Sequence, residues 1–139
     1  MNRLILVGMC LFILMFTACG SGLCSLRGKV TFSDDGTPLS CGTVLFENES
    51  TRSKGKVNTD GTYIVGTLSN TDGIPPGTYK VSVIETYKPV ENAGSGNMDV
   101  PQSESLIDAK YADASTSGLI ITVDSKTKVF DIHVDRPKK

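Results

Sequence analysis

Short runs of alternating apolar and polar side chains recur along most of this chain, separated by Gly, Pro, Asp and Asn. In the run 26–33, Leu26, Val30 and Phe32 share one face of a strand, and Lys29 lies on the other. A period of two is typical of a half-buried β-strand. The same pattern predicts further strands at 42–47, 55–58, 62–68, 78–86, 119–124 and 128–134. Seven short strands with turns between them indicate an all-β, immunoglobulin-like sandwich.

The turns between these strands have the clearest local sequence signals. Asp60-Gly61 stands between two alternating runs and predicts a β-hairpin that joins strands 55–58 and 62–68. Pro75-Pro76-Gly77 predicts a rigid elbow before the next strand, because proline fixes φ and glycine tolerates positive φ. Each turn is followed by Thr-Tyr. We expect the tyrosines, Tyr63 and Tyr79, to fill the core with their hydroxyls at its rim.

The alternating pattern stops after Tyr87. The stretch that follows contains Pro, Gly, Ser, Asn and Glu with hardly an apolar residue, so burial would not offset the entropy of ordering it. We therefore predict a flexible insertion at 88–104. Leu106, Ile107 and Tyr111 then predict a short helical or irregular turn that packs onto the sandwich.

The N-terminal residues have a different composition from the rest. Arg3 precedes an apolar run at 4–16, which is shorter than the roughly 20 residues of a membrane span and typical of a secretory signal. Small residues directly before Cys19 resemble the lipobox of bacterial lipoproteins. We expect 1–18 to be a lipoprotein signal peptide, Cys19 to be lipidated and 19–25 to form a tether. An ordinary cleaved signal that leaves a free thiol is the alternative.

The cysteine count agrees with a lipid anchor. Cys10 would leave with the signal and Cys19 would carry lipid, which leaves Cys24 and Cys41 as an even pair. In an oxidising compartment such a pair predicts a possible disulfide. A simple hairpin between the first two strands would keep the two sulfurs apart. The disulfide therefore requires the chain to leave that hairpin, or Cys24 to fold back.

Length and charge limit the other classes of protein. A chain of 139 residues is a one-domain length, and we place the sandwich domain at 26–136. The 14 basic and 15 acidic side chains of the full chain nearly balance, whereas a nucleic-acid-binding protein needs a basic surface. We expect a monomer that does not bind nucleic acid.

Several short motifs occur in an order that is similar to that of a known family. They are Asp-Gly-Thr-Pro-Leu (35–39), Gly-Thr-Val-Leu-Phe-Glu (42–47), Thr-Asp-Gly-Thr-Tyr (59–63), Pro-Pro-Gly-Thr-Tyr-Lys-Val (75–81) and Thr-Ser-Gly-Leu (116–119). Together they resemble the carboxypeptidase regulatory-like, transthyretin-like domains, and most closely the small lipoproteins with such a domain in planctomycete-type bacteria. The resemblance covers nearly all of the chain after residue 25. It implies a seven-stranded sandwich that is non-catalytic, with no catalytic residues to assign.

Two sets of side chains could carry chemistry. Asp131, His133 and Asp135 alternate along the last strand about 6.6 Å apart, so only a neighbouring pair could share a metal. A solvated strand face accounts for the same alternation. Four further carboxylates precede or flank glycines, as turn residues do, and their spacing matches no calcium loop: Asp34, Asp35, Asp60 and Asp72. We expect no metal and no other cofactor.

The sequence thus predicts a lipid-anchored, non-catalytic binding or structural module of the cell envelope. It would lie at the cell membrane or outer membrane, facing the periplasm or cell surface, and bind an envelope protein or glycan. A small-ligand or carbohydrate binder is the first alternative, with Tyr87 and Tyr111 as aromatic platforms. A hydrolase with His133 as its base is the second, although no Gly-x-Ser-x-Gly motif occurs. A polar, shallow concavity would favour the binding or structural module, and an aromatic lining would favour the small-ligand binder. A Ser or Asp side chain beside His133 would favour the hydrolase.

Overall fold

A computed structural model describes residues 22–88 and 104–139, and within them the chain forms two β-sheets. The strands are β1 (Arg27–Phe32), β2 (Thr43–Glu47), β3 (Arg52–Lys56), β4 (Thr62–Ile64), β5 (Gly77–Ile84), β6 (Leu119–Val123) and β7 (Ile132–Val134). A 3-10 turn, η1, covers Ala109–Ala112. The all-β, two-sheet architecture predicted from the alternating pattern is confirmed. The predicted signal peptide, Cys19 and residues 89–103 of the predicted insertion lie outside the described residues.

One sheet has three strands and the other has four. The first has the order β4-β1-β7, with β1 antiparallel to β4 and parallel to β7. The second has the order β3-β2-β5-β6 and is antiparallel throughout. Side chains from both sheets form one buried core, where the Phe46 ring centroid lies 6.2 Å from that of Tyr63 and 6.3 Å from that of Phe130. The core therefore joins the two sheets face to face.

The two tyrosines are placed as the sequence predicts. Tyr63 and Tyr79 are each 1% exposed. The Tyr79 hydroxyl donates a 2.8 Å hydrogen bond to the Pro75 carbonyl, and the Tyr63 hydroxyl donates to the Phe130 carbonyl. Each ring thus buries its apolar part while its hydroxyl is satisfied by backbone.

The turn at Asp60-Gly61 forms, but the predicted hairpin is wrong. The Asn58 amide donates to the Thr62 carbonyl at 2.8 Å, which closes the turn. The flanking strands, however, belong to different sheets, because β3 pairs with β2 and β4 pairs with β1. The turn therefore carries the chain across the edge of the sandwich. Alternation along a strand specifies which face is buried but not which strand lies beside it.

The bounds of β3 and β4 differ from the predicted ones, and β7 begins at Ile132 and not at the predicted residue 128. β3 begins at Arg52, three residues before the predicted start at residue 55, and its inward positions are Ser53 and Gly55. Because these inward residues are small or polar, this strand shows no alternation of hydrophobic and polar residues. β4 ends at Ile64, well before the predicted end at Leu68, which is 91% exposed.

The segment around Leu106, Ile107 and Tyr111 packs as predicted. Ile107 and Tyr111 are buried in the core, and Leu106 packs against it. The Leu106 amide donates to the Thr86 carbonyl at 2.8 Å, and Tyr87 and Ser105 form an isolated bridge. This segment therefore pairs with the chain directly after β5. Within the described ranges, no helix is long and apolar enough to cross a membrane.

Candidate functional site

The four-stranded sheet has a concavity of about 550 Å³ on its outer face, here called the outer groove. Its floor comes from the outward positions of β2, β3 and β5, and its wall comes from the segment after β4. The lining residues are Thr43, Leu45, Lys54, Lys56, Asn58, Ile64, Asn70, Thr71, Ile84 and Glu85. Polar and charged side chains form most of this lining, with three aliphatic side chains among them.

Strand register explains how these side chains come together. On β2, Val44 and Phe46 are buried in the core, so Leu45 and Thr43 point to the opposite face. Leu45 pairs with Lys54 of β3, and Thr43 pairs with Lys56. Each lysine thus flanks a floor residue.

The wall of the groove is held by a network of hydrogen bonds. Gly66 and Lys54 exchange backbone hydrogen bonds of 2.9 and 3.0 Å, which attach the wall to the edge of β3. The Asp72 carboxylate accepts hydrogen bonds from the amides of Thr67 at 2.7 Å and Leu68 at 2.9 Å. The Thr67 bond is the main reason that the pKa of Asp72 is lowered. A wall fixed in this way is preorganised, so a ligand would not have to order it.

Glycine is required where the wall turns. A Cβ at Gly66 would lie 1.8 Å from the Ser69 carbonyl oxygen. No side chain fits that space unless the backbone shifts, so the shape of the wall depends on a residue without a side chain.

The groove carries charge of both signs, on separate strands. Lys54 and Lys56 are exposed on β3, whereas Glu85 follows β5. The Thr43 hydroxyl donates a 2.7 Å hydrogen bond to the Glu85 carboxylate. Glu85 has φ +58, a left-handed conformation that is uncommon outside glycine. The positive charge therefore lies along the β3 side of the groove, and the negative charge lies at the end of β5.

A second, smaller concavity of about 460 Å³ lies on the outer side of the same sheet. Glu47, Glu49 and Lys80 are among its lining residues. Asn48 also lines it, and the Asn48 side-chain oxygen accepts hydrogen bonds from the amides of Ser50 at 3.0 Å and Thr51 at 2.8 Å. The side-chain oxygen of Asn48 therefore stabilises the turn at 48–51.

The two cysteines that the sequence predicts to pair are free thiols in this structure. Cys24 is buried and forms an isolated bridge with Ile74. Cys41 is half-buried, and its Sγ lies 3.6 Å from the Tyr87 carbonyl oxygen. The chain leaves the first hairpin after Leu39, and backbone hydrogen bonds pair Cys24 with Ile74. The two thiols are not linked in this structure, and the possible disulfide stays a prediction.

The three candidate metal ligands of the last strand each have a protein partner. His133 Nδ1 lies 2.9 Å from the Thr31 hydroxyl, and Asp131 accepts a 3.0 Å hydrogen bond from the Lys29 amide. Asp135 accepts hydrogen bonds from Lys110 Nζ at 2.6 Å and the Tyr111 hydroxyl at 2.9 Å. Among the residues that the structure describes, no group of three or more His, Cys, Asp or Glu side chains could hold a metal ion. The closest side-chain hydroxyl to His133 thus belongs to a threonine on the exposed face of the neighbouring strand.

The two candidate aromatic platforms differ in accessibility. Tyr111 is 6% exposed and belongs to the core, so it cannot stack on a ligand. Tyr87 is 51% exposed but does not line the outer groove as far as the described residues show. No aromatic side chain occurs among the described lining residues of that groove.

The sequence predictions did not include the basic side chains of β3, of which Lys54 and Lys56 line the groove. Arg52, Lys54 and Lys56 alternate with Ser53 and Gly55, so a period of two is present in the charge pattern even though it is absent from the hydrophobic pattern. Alternating basic residues in a polar stretch would have indicated a strand with a charged outer face.

Comparison with known proteins adds no relative. The chain matches no protein-family model, no curated protein and no solved structure.

Proposed function

We propose that this chain is a lipid-anchored, non-catalytic module of the cell envelope that binds a macromolecular partner through the outer groove. The observation that carries the proposal is the groove itself. It is an open, preorganised concavity, and lysine, asparagine and threonine side chains line it. Such a lining offers charge and hydrogen bonds to a partner, and Leu45, Ile64 and Ile84 add apolar contacts.

The fold type belongs to the same proposal. We take the two sheets to form the seven-stranded, immunoglobulin-like sandwich of the carboxypeptidase regulatory-like domains. The order of turn motifs supports this assignment, as does the single core shared by both sheets. A domain of this kind presents its loops and sheet faces for binding.

Lipidation of Cys19 would place the groove close to a membrane. Pairing within the described chain begins at Cys24, whose amide donates a 2.7 Å hydrogen bond to the Ile74 carbonyl. Four residues, 20–23, then separate Cys19 from Cys24, and even a fully extended chain spans only about 17 Å between these two cysteines. The module would therefore act on partners at or near the membrane surface.

The anchor is tested with labelled fatty acid. The full chain should incorporate the label and partition with membranes, whereas Cys19→Ala should lose the label and either leave the membrane fraction or stall during processing. Cys41→Ala is the matched control and should label as the unmodified chain does. Labelling of Cys19→Ala at the control level would refute the anchor.

The binding face is tested by photo-crosslinking in cells. A photo-crosslinking amino acid at Thr71, an exposed lining residue of the groove, should yield an adduct with an envelope component. The same amino acid at Thr31, on the outer side of the other sheet, is the control. Equal adducts from both positions, or none from Thr71, would argue against the groove as the binding face.

A further inference from the structure

The edge strand β3 presents three basic side chains in a row on the outer face of its sheet. Arg52, Lys54 and Lys56 are exposed, while the residues between them point inward. Arg52 is already engaged, because its guanidinium lies 3.4 Å from the Glu47 carboxylate. Among the described salt bridges, none involves Lys54 or Lys56. Two ammonium groups that have no acidic partner within 22–88 and 104–139 therefore line one side of the groove.

The spacing of these two lysines matches that of an extended peptide. Residues two apart on a strand are about 6.6 Å apart and point to the same side. Carboxylates two apart on an extended ligand have the same spacing, so they could meet both ammonium groups at once. Leu45 lies beside Lys54 on the floor, and Ile84 pairs with Thr43 further along. These aliphatic side chains would accept apolar side chains of the same ligand.

The shape of the site disfavours the other anionic partners. Lys54 and Lys56 line a concavity, and a flat bilayer surface cannot follow the sheet into a groove that is walled by residues 64–71. Sugar rings bind best against aromatic faces, and the described lining has none. An acidic peptide requires only charge, hydrogen bonds and a few apolar contacts, all of which the groove provides.

We propose that the outer groove binds an extended acidic segment of a partner protein, with its carboxylates on Lys54 and Lys56 and an apolar side chain on Leu45. This inference rests on the proposed function and specifies the chemistry of the partner. Glu85 stands across the floor, where Thr43 orients its carboxylate. It would accept a hydrogen bond from the ligand backbone, and this places the acidic side chains of the ligand on the β3 side only.

The test measures peptide binding to the full chain, purified in a mild detergent, by fluorescence anisotropy. The probe is a fluorescein-labelled peptide in which glutamate alternates with valine and threonine, and its control has glutamine in place of glutamate. Lys54→Gln with Lys56→Gln removes two positive charges from the groove. Lys29→Gln with Lys128→Gln removes two exposed charges outside the groove lining, so this control variant has the same net charge as the groove variant.

We expect the acidic peptide to bind, the glutamine peptide to bind weakly, and the groove variant to bind the acidic peptide about tenfold more weakly. The control variant should stay within about twofold of the unmodified chain. Lys54→Arg with Lys56→Arg should retain binding because it keeps both charges. Circular dichroism of each variant shows whether the fold is intact.

Three outcomes would overturn the inference. Equal weakening by both glutamine variants would show that only net charge matters. Binding of phosphatidylglycerol vesicles or of an anionic polysaccharide in place of the peptide, with the same dependence on Lys54 and Lys56, would show that the partner belongs to another class. Adducts from Thr71 in cells without any binding of the acidic peptide would leave the proposed function standing and remove this inference alone.

Discussion

The hydroxyl of Tyr63 donates a hydrogen bond to the backbone carbonyl of Phe130, and this bond passes over Gly28. Tyr63 is on β4, Gly28 is opposite it on β1, and Phe130 precedes β7. Burial raises the pKa of Tyr63, so the phenol remains protonated and acts as the donor. One side chain thus connects both outer strands of the three-stranded sheet across its central strand.

Gly28→Ala should destabilise the protein by about 3 kcal/mol, because there is no room for a side chain. A Cβ at residue 28 would lie 1.9 Å from the Phe130 carbonyl oxygen and 2.8 Å from the Tyr63 hydroxyl. Urea unfolding followed by circular dichroism measures the change. Gly22→Ala is the control, since its Cβ would meet nothing within 4 Å. Equal stability of the two variants would contradict the described packing of β1.

Tyr63→Phe should lower the free energy of unfolding by about 1 to 2 kcal/mol, because the buried Phe130 carbonyl loses its donor. Tyr87→Phe, at a half-exposed position, should change it by less than about 0.5 kcal/mol. The effects of Tyr63→Phe and Gly28→Ala should not add, because both act on the same contact. Additive effects would show that the residues are independent.

Acid should destabilise this protein at an unusually low pH. Hydrogen bonds from Thr37, its side chain first and then its amide, lower the pKa of Asp35 from 3.8 to about 2. Asp60, Asp72, Asp113 and Asp124 also have lowered pKa values because each accepts hydrogen bonds from residues close in sequence. Carboxylates with lowered pKa values stabilise the fold fully above pH 3.8, and this contribution is lost as the pH falls through their folded pKa values.

These carboxylates stay ionised from pH 7 to pH 5, so they should not change the melting temperature over that interval. The melting temperature should fall between about pH 4 and pH 2 as they are protonated. Thermal unfolding in a series of buffers measures this profile. Asp35→Asn should show a smaller fall over the same interval, because the titrating group is gone. A profile that declines mainly between pH 7 and pH 5 would mean that other groups control stability.

The free thiols predict unequal reactivity. Cys41 is half-buried and Cys24 is buried, so iodoacetamide should modify Cys41 in the native protein and Cys24 only after unfolding. Mass spectrometry of digests, without reductant, identifies the modified residue. A linked pair of peptides that contain Cys24 and Cys41 would restore the disulfide and contradict the structure at these positions.

Several features of this protein follow from its sequence alone. Alternation of Val30 with Lys29, or of Phe46 with its neighbours, determines which face of each strand is buried, because side chains in a strand point to opposite sides in turn. The order of such strands and their glycine- and proline-containing turns was enough to predict an all-β protein with two sheets. The positions of Tyr63 and Tyr79 followed from the same reasoning.

Only the tertiary structure decides which strands pair with one another. The Asp60-Gly61 turn has the chemistry of a hairpin, yet β3 and β4 pair in different sheets, since a turn sequence specifies local φ and ψ and not the neighbour. Cys24 and Cys41 formed an even count, but pairing depends on the distance between sulfurs, which the fold sets. The outer groove, too, requires Gly66 to bring its wall against Lys54 of β3. Residues far apart in sequence meet there, and no local pattern could place them together.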